Sequence, residues 1–94
     1  MADEAARAPE EPLRSAFPVR LALTPPTGAG TVRVDVFYRF GRHVATPLDE
    51  SAAGVSEATW DGSTDAGEQA RGGYYIYRVT VDDDAESGTL LVEA

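Results

Sequence analysis

The chain has 94 residues, enough for one small domain with a modest hydrophobic core and too few for a second domain. It contains no cysteine, which excludes disulfide bonds and thiolate metal sites as sources of stability. Sixteen acidic residues stand against eight basic ones, all arginine, and the formal net charge of -8 disfavours nucleic acid and anionic membranes as partners. No apolar stretch approaches the roughly 20 residues that cross a bilayer, so we expect no membrane insertion.

Residues 1–16 form an acidic segment rich in alanine, proline and glutamate. This composition predicts a flexible, disordered tail before a folded domain at residues 17–94, and the alternative is a docking arm that orders on a partner. The segment lacks the basic and then apolar pattern of a secretory signal. We therefore expect a cytoplasmic protein, export by a route that reads no such signal, or a piece of a longer chain.

From residue 17 onward, short apolar alternations are broken by glycine and proline every eight to twelve residues. This pattern is typical of an all-β, immunoglobulin-like or fibronectin-III-like antiparallel sandwich. Gly41 suits the tight turn between the second and third strands, because a hairpin turn requires a positive φ. The predicted strands cover residues 19–23, 31–38, 43–48, 54–60, 74–81 and 89–92.

Two strands alternate clearly enough to assign an inner face. Trp60 is expected to close one end of the core that these faces build. The side chains predicted to point inward are Val32, Val34, Val36, Tyr75, Tyr77 and Val79.

The opposite face of the same two strands carries a predicted protein interface, because a lone sandwich covers only one face of each sheet. Tyr74, Ile76 and Phe37 supply its apolar part. Arg33 and Arg78 lie beside them, as is typical of interface centres. The alternatives are an ordinary solvated surface and local pairing of the arginines with acidic residues.

Residues 60–73 form a polar, glycine-rich turn before the aromatic strand. Aspartate beside glycine is a common turn former, so we assign this segment a structural role and expect no calcium binding by Asp61 and Asp65. Asp82, Asp83, Asp84 and Gly88 are expected to form a charged hairpin loop. The turn residues are Trp60, Asp61, Gly62, Asp65, Gly67 and Gly73.

His43 is the single histidine, and its ring is expected to face solvent or a neighbouring strand. One histidine makes no metal site, and without lysine or cysteine there is no evident nucleophile with its base. We therefore predict no catalytic residue, no cofactor and no bound metal.

Two segments together resemble a known family. The first runs from Val32 through Phe37 to the glycine-arginine turn at Gly41, and the second runs from Trp60-Asp61-Gly62 to Tyr75, Tyr77 and Arg78. Both are similar to the immunoglobulin-like domain of the flagellar hook-capping protein (FlgD-type), which also occurs at the carboxyl ends of secreted bacterial proteins. Tyr38 departs from the family pattern, which more often has aspartate there, and Gly72 stands where serine is common.

The resemblance implies a non-catalytic structural and interaction module in a bacterial assembly, with protein partners or self-assembly through a sheet face, an edge strand or the tail. A carbohydrate-binding module is the first alternative, with Tyr74, Tyr77 or Trp60 stacked on sugar rings. The second alternative is an inert spacer domain of a longer secreted protein.

Overall fold

The computed structural model describes residues 13–93. Within that range the chain is all-β and forms two sheets packed as a sandwich. The strands are β1 (Leu13–Ser15), β2 (Val19–Ala22), β3 (Thr31–Tyr38), β4 (His43–Ser51), β5 (Glu57–Trp60), β6 (Gly73–Val81) and β7 (Asp84–Val92). The all-β sandwich predicted from the sequence is confirmed.

The larger sheet has the strand order β1-β7-β6-β3-β4, and the smaller sheet pairs β2 with β5. We call them the large sheet and the small sheet. In the large sheet β3 lies between β6 and β4 and is antiparallel to both. The β-branched Val32, Val34 and Val36 suit this central strand, because such side chains pack well on a pleated sheet.

The core lies between the two sheets, and β2, β3, β5, β6 and β7 contribute alternate hydrophobic residues to it. Val79 is only half-buried at its margin. The buried side chains are Val19, Leu21, Leu23, Val32, Val34, Val36, Val44, Ala45, Ala52, Ala58, Trp60, Ala70, Tyr75, Tyr77, Leu90 and Val92.

Trp60 closes one end of this core and is 4% exposed. Its ring meets Phe17 and Tyr75 edge to face, with centroids 5.2 Å and 5.4 Å away. The Trp60 Nε1–H donates to the Ser63 carbonyl at 2.9 Å. The Tyr75 hydroxyl donates to the Arg71 carbonyl, the arrangement called a tyrosine corner in immunoglobulin-like sandwiches.

The turn after β5 is held by side-chain and backbone hydrogen bonds. Asp61 Oδ1 accepts the Ser63 N–H at 2.8 Å, which is the aspartate turn chemistry that the sequence indicates. Gly62 has a φ of 94°, and its carbonyl accepts the Ala70 N–H at 2.7 Å. These contacts return the chain toward the start of β6.

Two boundaries differ from the sequence prediction. Leu13–Ser15 lie in the stretch assigned to the tail, but they form β1 and pair in parallel with β7. Leu13 has an apolar side chain that packs against the core, and its distant partner Leu90 cannot be recognised from local sequence. The sandwich is therefore not purely antiparallel, and the rest of the predicted tail, residues 1–12, lies outside the described residues.

The last hairpin is also tighter than predicted. Asp84 already begins β7, and Gly88 lies inside that strand opposite Tyr77 rather than in a loop. The Tyr77 ring occupies the space that a side chain at residue 88 would need, so glycine is required there for packing and not for a turn. Asp82, with a φ of 53°, forms the turn and accepts the Gly30 and Thr31 N–H groups at 3.1 Å.

No helix within residues 13–93 has the length and apolarity to span a bilayer.

Candidate protein-binding face

Alternate residues of β3 and β6 project from the large sheet on the side opposite the core. In the antiparallel register Asp35 lies opposite Arg78, and Phe37 lies opposite Ile76. No second sheet covers this side within the part of the chain that the structure describes. We call this surface the outer face; its members are Arg33, Asp35, Phe37, Tyr74, Ile76 and Arg78.

The five side chains predicted as an interface all belong to the outer face. Tyr74 is 48% exposed, and Phe37 and Ile76 are half-buried. The Arg33 and Arg78 side chains are 51% and 45% exposed. The structure therefore brings these residues together on an accessible surface, and their use as an interface stays a prediction.

Asp35 is the feature of this face that the sequence pattern misses. Alternation places Asp35 on the solvent side of β3, yet it is only 1% exposed. Its Oδ1 accepts hydrogen bonds from Thr46 Oγ1 at 2.8 Å and from Arg33 Nε at 3.2 Å. The side chains around the carboxylate exclude water from it, although no second sheet formed by residues 13–93 covers it.

The second oxygen of Asp35 is less well satisfied. Oδ2 lies 3.1 Å from Arg33 Nε and 3.8 Å from Arg78 Nη2, and neither contact has hydrogen-bond geometry. A buried carboxylate oxygen usually has a hydrogen-bond donor. The outer face thus contains a buried acceptor beside two half-exposed guanidinium groups.

A β-bulge brings Thr46 to this carboxylate. Val34 pairs with Leu48 and Val36 pairs with Ala45, so Thr46 and Pro47 together stand opposite Asp35. Pro47 cannot donate a ladder hydrogen bond, which makes it suited to a bulge in an edge strand. Pro47, which lies within the strand predicted for residues 43–48, is therefore the one sequence signal of this β-bulge.

His43 connects the outer face to the turn after β5. Its Nε2 lies 3.0 Å from Asp35 Oδ1, and its Nδ1 lies 2.7 Å from Asp65 Oδ2. The Asp65 N–H donates to the Val44 carbonyl at 2.8 Å, which fixes that turn against β4. Of the two environments expected for His43, the structure has the one in which the ring contacts a neighbouring strand.

Two opposing effects set the ionisation of Asp35. Burial alone would raise the pKa of its carboxyl group. Hydrogen bonds from Thr46 and His43, with the charge and hydrogen bond of Arg33, outweigh burial and lower that pKa below its ordinary value of 3.8. Asp35 is therefore an anion at neutral pH.

The arginines combine pairing and exposure. Arg78 Cζ lies 5.0 Å from the centroid of the Phe37 ring, within the range of a cation–π contact. Arg33 and Arg78 also flank Asp35, which is the local pairing with acidic residues that the sequence allows as an alternative. These contacts orient the guanidinium groups while their outer edges stay open to solvent.

The two aspartates of the turn after β5 have local partners. Asp61 is bonded within its own turn, and Asp65 contacts His43. The hydrogen bonds to the Ser63 N–H and hydroxyl lower the pKa of Asp61. No group of three or more potential metal-ligating side chains is found in residues 13–93.

The fold and this face define a small immunoglobulin-like sandwich with an organised outer sheet surface. The family model described as the FlgD Ig-like domain matches residues 11–88. The chain belongs to this family of structural, non-enzymatic modules, as the sequence resemblance predicts. Neither a curated protein nor a solved structure matches the chain.

Proposed function

We propose that the chain is a non-catalytic subunit or adaptor of a larger bacterial protein assembly and binds a protein partner through the outer face. The observation that carries this proposal is the arrangement around Asp35. Half-exposed arginines, half-buried apolar residues and an exposed tyrosine surround a buried carboxylate on a sheet surface that no described second sheet covers. Arginine and aromatic side chains held in place in this way are typical of interface centres.

Pre-organisation favours binding at this surface. Arg78 is held over Phe37 and beside Asp35, so it loses less conformational freedom on association than a free arginine would. A partner carboxylate or backbone carbonyl could accept from the guanidinium edges, and a partner apolar side chain could pack on Ile76. The family supports a structural and interaction role without naming the partner.

The test is capture of partners from native cells with the tagged full chain and two matched double variants. Phe37→Ser/Ile76→Ser alters a directly opposed pair on the outer face. Arg20→Ser/Thr59→Ser alters an equally opposed, exposed pair on the small sheet. We expect the control to recover the same partner as the wild type, and the outer-face variant to recover roughly tenfold less, which corresponds to about 1.4 kcal/mol.

Circular dichroism of both variants is the control for folding. Equal recovery by all three chains would contradict the use of the outer face. Absence of any stoichiometric partner would favour the inert spacer instead.

The carbohydrate-binding alternative has less support. Trp60 and Tyr77 are 4% and 7% exposed, so neither ring is available to stack on a sugar. Tyr74 remains, at 48% exposure. Trp60 fluorescence is therefore expected to stay unchanged when polysaccharide is added, and a quench would revive that alternative.

A further inference from the structure

A second exposed surface lies at the end of the large sheet where β3 turns into β4. Phe40 is 76% exposed, and its ring stacks on Tyr38 with centroids 5.4 Å apart and planes 11° from parallel. A phenylalanine held flat in solvent against another ring is pre-arranged for a further contact. We call the surface built around it the tip groove.

The tip groove has a volume of about 340 Å³. Its floor includes Gly72 and Gly73, and open space surrounds the position where a side chain on Gly73 would project. Its residues are Tyr38, Arg39, Phe40, Gly72, Gly73, Tyr74 and Tyr75. It is an open aromatic trough with a floor free of side chains.

Arginines surround this trough in a chain whose net charge is -8. Arg39 lines it, Arg42 belongs to the same β3–β4 turn, and Arg71 directly precedes its glycine floor. None of the three has a salt-bridge partner within the described range 13–93, where the ion pairs involve Arg33, His43 and Arg78. The chemistry that fits is an acidic segment with flat or ring-shaped apolar side chains.

The chain itself carries such a segment. Residues 9–12 read Pro-Glu-Glu-Pro, which is the Pro-x-x-Pro spacing. In a polyproline II helix, with about three residues per turn, both prolines lie on one edge, and segments of this kind dock into aromatic-lined grooves. Glu10 and Glu11 would then face the arginines of the tip groove.

The fold sets the start of β1 away from the tip groove of the same chain. Leu13 pairs with Leu90, Leu90 with Tyr75, and Tyr75 with Tyr38, so Leu13 lies three strand spacings from Tyr38. At about 4.8 Å per spacing this is roughly 14 Å, and Pro12 is bonded directly to Leu13. Strand β1 runs parallel to β7, toward the Gly73 end of the sheet, so Leu13 lies farther from the tip groove than Ser15 does. This direction favours a groove on a second copy as the docking site.

We propose that the Pro9–Pro12 segment of one copy docks into the tip groove of a second copy. The prolines pack on Phe40 and Tyr74, and the glutamates pair with Arg39 and Arg42. This head-to-tail contact shares Tyr74 with the outer face but uses none of its other members, and it extends the function proposed above to self-association. Because donor segment and groove are both present in every copy, the contact can repeat along a row of molecules.

Two full-length variants test the proposal: one reverses the charge of the segment, and the other reverses the charge of the groove. Glu10→Arg/Glu11→Arg gives a basic segment and leaves the groove basic, and Arg39→Glu/Arg42→Glu gives an acidic groove and leaves the segment acidic. Light scattering is expected to show a wild-type average mass that rises with concentration, and the mass of one chain for either variant alone. An equimolar mixture of the two variants should regain association, because each segment then meets a groove of opposite charge.

Two further variants sharpen the test. Arg20→Glu, an exposed residue of the small sheet, should associate like the wild type. Phe40→Ser should stay a single chain and keep its circular dichroism spectrum, because Phe40 is not part of the core.

Three results would overturn the proposal. A wild type that stays a single chain at the highest attainable concentration would do so, as would a mixture that fails to associate. The third is a monomer whose Phe40 and Tyr74 amide signals move when Glu10 and Glu11 are replaced, since that would place the segment on its own chain. None of these three results decides whether the outer face binds a partner, because the capture experiment tests that separately with Phe37 and Ile76.

Discussion

The two sheets bury their inner faces in the same way and differ on their outer faces. In the small sheet, β2 and β5 alternate strictly, and the residues that point away from the core are the exposed Arg20, Ala22, Glu57 and Thr59. In the large sheet, Asp35 points away from the core and is nevertheless 1% exposed. A solvated sheet face needs no such arrangement, and this is why we place the proposed interface on the large sheet.

The most damaging change to this arrangement is expected to be Asp35→Ala. It removes the acceptor shared by Thr46, Arg33 and His43, and should lower the free energy of unfolding by about 1 to 3 kcal/mol. Thr59→Ala on the small sheet is the matched change, expected within about 0.5 kcal/mol of the wild type. Urea unfolding measures the change in unfolding free energy for both variants. Equal changes would mean that the outward surfaces of the two sheets do not differ in their contribution to stability.

The hydrogen bond of Tyr75 is a polar contact of the inner face that can be compared with this cluster. Tyr75→Phe removes the hydroxyl bonded to the Arg71 carbonyl and should cost about 1 kcal/mol. Tyr77→Phe is the control, because burial alone raises the pKa of Tyr77, with no hydrogen bond to offset it. Thermal unfolding that shows the two variants equally stable would argue against a tyrosine corner.

Acid should weaken the outer-face cluster in a defined direction. Because the folded-state pKa of Asp35 is lowered below 3.8, its ionised form stabilises the fold above that pH, and the contribution is lost as the pH falls through the folded-state pKa. The unfolding free energy of the wild type should therefore fall more steeply than that of Asp35→Asn between about pH 5 and pH 2. Parallel curves would mean that Asp35 contributes no ionic stabilisation.

Calcium is expected to have the smallest effect. Asp61 and Asp65 already bond Ser63 and His43, so millimolar calcium should leave the melting temperature unchanged. A rise of several degrees would show that these carboxylates can converge on a cation.

The predictable parts of this molecule are those that the local sequence encodes. Strand β3 follows from the alternation of Val32, Val34 and Val36, and the turn at Asp61 follows from aspartate-glycine chemistry. Together with the family resemblance, these patterns were enough to predict the all-β sandwich.

The parts that could not be predicted depend on contacts between distant residues. His43 and Asp65 are 22 residues apart, and β1 meets its partner β7 only at the far end of the chain. Asp35 follows the same alternation as a solvated residue, and its burial becomes visible only once the bulge at Thr46 and Pro47 is known. The five predicted residues of the outer face could be named because alternation alone places them there. The role of Asp35 at their centre could not be predicted, because it depends on that bulge.

Hydroxyl-radical footprinting of the full chain, free and in the complex captured from native cells, tests the outer-face assignment most directly. The account predicts that Phe37 and Ile76 become less reactive in the complex, whereas Arg20 and Thr59 on the small sheet keep their reactivity. Protection confined to the small sheet, with Phe37 and Ile76 unchanged, would contradict it.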